Sequence, residues 1–112
     1  MRIAVPVAGG TLCVHFGQCT HFAVFDVDPD AGVVTARRDL AAPDHEPGVF
    51  PVWLGERGAN VVIAAGMGSR AREVFAANGI DVVTGATGDD PGEVVTAFLA
   101  DALRTDPNVC DR

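Results

Sequence analysis

The chain has 112 residues, with 8 Lys and Arg against 15 Asp and Glu, a net charge of −7 and a pI near 4.6. That length suits one domain whose core needs no disulfide staples, and the 48% apolar content is globular rather than disordered. The acidity argues against nucleic acid, which wants a basic stripe, and against anionic membranes, and no apolar run approaches the roughly 18 residues of a span.

Three cysteines, an odd number, do not read as a secreted disulfide framework. The start, "MRIAVPVAGG", has no signal-peptide pattern. The expectation is a reduced, cytoplasmic protein.

"RIAVPV" predicts a short apolar strand that ends at the turn signal "AGG". "LCVHFGQCTH", residues 12–21, follows and packs two cysteines and two histidines into ten residues. "HFAVFDVD" predicts a strand with both faces partly buried, "PDAG" a tight turn, and "VVTARRDL" its antiparallel partner. "AAPDHEPG" is a polar, Pro-rich loop carrying His45. "VFPVWLGERGA" predicts a helix of about ten residues, with Pro51 in the first turn and Gly58 at the stop. "NVVIAAG" predicts an apolar strand. "GSRAREVFAANG" predicts a helix with Val74 and Phe75 inward and Gly79 at its end. "IDVVTG" predicts another strand. "DDPGEVVTAFLADAL" predicts a helix capped by Asp89 or Asp90, with Pro91 first and Val94, Val95, Phe98, Leu99 and Leu103 as its apolar stripe. The domain is expected over residues 1–104, with a frayed tail over 105–112 that includes Cys110. Strands alternating with helices in the second half imply parallel pairing and right-handed crossovers.

Cys13 and His15 are two apart, as are Cys19 and His21, so each pair suits one face of an extended segment. Thiolate and imidazole are soft and borderline metal ligands. The Cys spacing is not the paired C-x2-C of a structural zinc site. A cluster site using two or three of these residues is easier to build than one using four. The plain alternative makes Cys13 and Phe16 core residues and leaves the histidines at the surface. His45 alone reads as a surface residue, and it completes a set with His15 and Cys19 only if the two loops meet. "AAGMGSRARE" puts Gly66, Gly68, Ser69 and Arg70 at a turn into a helix. Amides at a helix start attract anions. The glycines serve equally well as turn formers with positive φ.

The chain resembles the dinitrogenase iron–molybdenum cofactor biosynthesis family, the small NifX type that also forms the C-terminal part of NifB. The resemblance spans residues 2 to about 103. It rests on "IAVPV", on "HFG" at 15–17 followed by Cys19, on "PGVFPVWLGERGANVVIAAGMGSRA" at 47–71, and on Gly79, Ile80, Val82, Thr84, Gly85 and Ala86. It implies a ribonuclease-H-like α/β fold: a mixed five-stranded sheet in the order 3-2-1-4-5, strand 2 antiparallel, with helices on both faces. It also implies transient binding and transfer of an iron–sulfur cluster or an iron–molybdenum cofactor precursor, without turnover. His15 matches the family's HFG histidine, Cys19 the cysteine that follows, and His45 the mid-chain loop histidine.

The expected ligands are therefore His15 and Cys19, with Cys13 and His45 as helpers. His21 is a further candidate that a strand start can equally turn to solvent. Donor and acceptor proteins of metallocluster assembly are the implied partners, and both a monomer and a homodimer fit the sequence. A rival reading is a small-molecule or anion-binding regulatory module at the Gly66–Arg70 turn. A nuclease-like enzyme is disfavoured, because Asp26, Asp28 and Asp39 do not obviously cluster to hold two metal ions and fold alone does not assign chemistry.

Overall fold

The structure is a computed structural model that describes residues 1–44, 46 and 48–100. Its strands are β1 (Arg2–Ala8), β2 (Thr11–Leu12), β3 (His21–Asp28), β4 (Val33–Ala41), β5 (Val61–Ile63) and β6 (Asp81–Val83). Its helices are α1 (Val49–Glu56), α2 (Ser69–Ala77) and α3 (Pro91–Leu99). The sheet runs β4-β3-β1-β5-β6, and β2 pairs with β1 off this path. β3 is antiparallel to β1 and to β4, whereas β1–β5 and β5–β6 are parallel. Counted over the five longer strands, this is the expected 3-2-1-4-5 order with an antiparallel second strand, a ribonuclease-H-like topology.

The sequence reading missed β2. Gly9 and Gly10 take φ of 63° and 82°, so the "AGG" turn is a two-residue hairpin loop that needs positive φ at both positions. It folds Leu12 back onto Val7. Two residues are too few to show periodicity.

The sheet is buried on both faces because its inner strands are apolar at odd and even positions alike. Ile3, Val5, Val7, Phe25, Val61 and Ile63 pack on one face, with Val94 and Val95 of α3. Ala4, Phe22, Val24 and Val62 pack on the other, with Phe50 and Leu54 of α1 and Phe75 of α2. At the edge strand β4, only Leu40 is even half-buried.

The helix signals act where they were read. Asp90 caps α3, its carboxylate accepting from the Glu93 amide at 3.0 Å, and Pro91 opens the helix. Pro51 sits in the first turn of α1, where its missing N–H costs nothing. Phe75 is buried and Val74 half-buried. Phe98 and Leu99 pack partly buried against the α3-side core. Leu103, Cys110 and the rest of the expected tail lie outside the described residues. No helix among the described residues is long and apolar enough to cross a membrane.

Candidate functional site

The Cys/His stretch forms a loop over the C-terminal end of β1. The Cys13 amide donates to the Pro6 carbonyl at 3.0 Å and the Thr20 amide to the Val7 carbonyl at 2.9 Å. The loop therefore leaves and returns at neighbouring residues of β1, which holds it tight. Between these anchors His15 bridges to Gly66 in parallel, and the Phe16 amide donates to the Gly66 carbonyl at 2.9 Å. A short 3₁₀ turn, Phe16–Gln18, follows.

Phe16 fixes the loop from below. Its ring lies 5.3 Å from Phe50, 5.4 Å from Phe75 and 6.0 Å from Phe22, centroid to centroid. The contacts with Phe50 and Phe75 are edge-to-face, the favourable geometry for quadrupoles. Turning Phe16 inward leaves its neighbours His15 and Gly17 at the surface.

The two thiols differ in placement. Cys13 is buried, and its Sγ donates to the His15 carbonyl at 2.9 Å, closing the turn from within. Burial pushes its pKa up, with a partial offset from the His15 backbone. Cys19 is half-buried and packs against the α1–α2 side of the core. Burial, and then the neighbouring Cys13 thiol, push its pKa up to about 12. Both are free thiols, held protonated near neutral pH.

His15 and His21 are exposed, and His21 Nδ1 lies 3.0 Å from Thr20 Oγ1. His45 lies outside the described residues. Among the described residues, no group of three or more His, Cys, Asp or Glu side chains is placed to hold a metal ion.

The turn that leads into α2 packs more than it bends. Neither Gly66 nor Gly68 has positive φ, so the expected conformational role of these glycines does not hold. Gly68 is the extended N-cap of α2 (φ −66°, ψ 154°). Gly66 is buried where the His15–Phe16 segment crosses it, and Met67 is fully buried. Ser69 and Arg70 are exposed.

A cleft of about 440 Å³ opens beside this crossing. Phe16, Phe50, Pro51 and Val74 form its apolar walls, and Glu46 and Arg70 supply opposite charges. The cleft brings together the loop of Phe16, the segment of Glu46 and Gly48, and the start of α2. The Ala42 amide also donates to the Thr20 carbonyl at 3.0 Å. Sequence reasoning found the loops but not the walls. The available signal was a phenylalanine set inside an otherwise polar Cys/His loop.

The acidic residues considered for two-metal chemistry are engaged separately. Arg2 Nε donates to Asp26 Oδ1 at 2.6 Å. Asp28 accepts from the Asp30 and Ala31 amides, and Asp39 pairs with Arg37 at 3.1 Å.

Known proteins resemble this chain in sequence and in fold. The uncharacterized protein MJ0580 of Methanocaldococcus jannaschii is 30% identical, over 92% of this chain and 89% of its own. The crystal structure of PH0822 superposes with a TM-score of 0.87 at 32% identity, over 96% of both chains. The apo form of the orange protein from Desulfovibrio gigas superposes with a TM-score of 0.74 at 25% identity, over 96% of this chain and 93% of that one. Residues 1–101 match the family described as dinitrogenase iron–molybdenum cofactor. With that match over nearly its whole length, the chain belongs to the dinitrogenase iron–molybdenum cofactor family.

Proposed function

We propose that this protein holds an iron–sulfur cluster or an iron–molybdenum cofactor precursor briefly and passes it on, with no catalytic turnover of its own. Family membership supports the class of cargo. The observation that supports the reading is the crossing of the HFG loop over Gly66, with His15 bridged to Gly66 and the Cys19 amide donating to the Phe16 carbonyl at 3.3 Å.

The chemistry favours a loose hold. Iron binds thiolate, so each participating thiol must first give up its proton. A Cys19 pKa of about 12 makes that costly at neutral pH. It weakens retention in the same measure and eases release to an acceptor. His15 supplies an exposed, weaker contact, and His45 completes the proposed set. His21, beside Thr20, is dispensable in this reading. The net charge of −7 suits docking to basic faces of donor and acceptor proteins in a reduced, cytoplasmic setting.

Anaerobic loading with a [4Fe–4S] cluster, read by visible absorbance and iron counting, tests the assignment. Cys19→Ser and His15→Ala are each expected to lower bound iron strongly, and Cys110→Ser to leave it unchanged. Equal iron in the parent and the first two variants would sink the ligand assignment.

A further inference from the structure

The cleft between α1 and α2 contains no cysteine or histidine among its described lining residues, so it calls for a different ligand chemistry from the thiol loop beside it. Its volume, about 440 Å³, lies within the range of small-molecule sites. Phe16, Phe50 and Pro51 are buried residues that line it, so the apolar surface is continuous with the core. Two charged side chains of opposite sign, Glu46 and Arg70, line the same space. Among the described residues neither side chain makes an ion pair or a hydrogen bond, with the other or with anything else.

We propose that this cleft binds a small apolar zwitterion, an amino acid with a hydrophobic side chain. The side chain fills the space between Phe16, Phe50 and Val74, where water gains little from staying. The carboxylate meets the Arg70 guanidinium, whose planar fork matches it in two parallel hydrogen bonds. The ammonium meets the Glu46 carboxylate. A simple anion would satisfy Arg70 and face repulsion from Glu46, and a simple cation would meet the reverse. Only a ligand carrying both charges uses both residues. The site stands apart from cluster binding, but Phe16 serves both: it walls the cleft and anchors the loop between His15 and Cys19.

Titration of the full, cluster-free chain with L-phenylalanine, followed by backbone amide shifts, tests this. Phenylacetate, which lacks the ammonium, and phenethylamine, which lacks the carboxylate, serve as controls. Saturable shifts at Gly17, Gly48 and Ala71 are expected with L-phenylalanine, at about millimolar affinity for a ligand of that size. Each control is expected to bind about tenfold more weakly, the ordinary worth of one charged hydrogen-bonding contact. Arg70→Gln should erase the advantage over phenethylamine, and Glu46→Gln the advantage over phenylacetate. Three results would overturn the proposal: no saturable shifts with L-phenylalanine, equal affinity for all three compounds, or advantages that survive both substitutions. Saturable shifts confined to residues 66–70 and produced only by inorganic phosphate would also overturn it, in favour of the anion-binding turn.

Discussion

The two faces of the sheet are built differently. Below α3 the core is largely aliphatic, with Ile3, Val5, Val7, Ile63, Val94 and Val95 around the buried Phe25, and the half-buried Phe98 at its margin. Under α1 and α2 it is aromatic: Phe16, Phe22, Phe50 and Phe75, with Trp53 tilted over Phe22 at 5.6 Å. Strand β1 allows both, presenting branched side chains to one face and the small Ala4 to the other, where the rings need room. The aromatic face reaches into the middle of the Cys/His loop, through Phe16, whereas the aliphatic face takes up only the first residue of that stretch, Leu12. The aliphatic face holds the fold, and the aromatic face also positions the Cys/His loop and walls the cleft.

The largest test of that division is Phe16→Ala. It removes a buried ring from contact with three others and should cost about 3–5 kcal/mol, measured by urea unfolding. It should also lower cluster loading in whatever fraction stays folded. Val95→Ala, a cavity on the other face at a fully buried position, should cost about 2 kcal/mol. It should leave iron per folded chain at the parent level, and a loss of iron there would break the comparison. Asp90→Ala should cost about 1 kcal/mol by removing the cap of α3, again without touching loading.

The thiols give a smaller, pH-dependent effect. The Cys19 pKa is raised in the folded chain from 9.0 to about 12. Its contribution to stability is thus complete below pH 9 and declines as pH rises through that window, because the unfolded thiol ionises first. Cys19→Ala should flatten the fall in unfolding midpoint over that range. The smallest effect is expected at Asp26, whose carboxyl the Arg2 hydrogen bond holds below its ordinary value. That contribution is present above the ordinary carboxylate pKa and is lost as pH falls through the depressed one. Asp26→Asn should shift the acid unfolding midpoint slightly and leave neutral-pH loading alone.

These contrasts also mark what the sequence made legible. Element order and helix ends could be read because apolar runs, Asp90, Pro91, Gly58 and Gly79 act locally, whereas the order of the strands in the sheet was implied by the family resemblance. The Cys13–His21 loop was recognisable from its composition, and the alternative that made Cys13 and Phe16 core residues matches their burial. The cleft was not legible, because Glu46, Pro51 and Val74 meet only once α1 and α2 pack side by side. Gly66 and Gly68 were read for backbone freedom, yet Gly66 lies under a crossing segment and Gly68 caps a helix in an ordinary extended conformation. Sequence alone shows a glycine, not the neighbour that passes over it.

The central claim is a loose hold followed by transfer, and transfer can be watched directly. The chain is loaded anaerobically with a [4Fe–4S] cluster and mixed with an apo-ferredoxin that offers four cysteine ligands. The two proteins are then separated by anion exchange, and iron is counted on each. The account predicts that most of the cluster moves to the ferredoxin intact at pH 7, and at pH 9 as well. A cluster that stays on this chain at both pH values while the ferredoxin remains empty would contradict it.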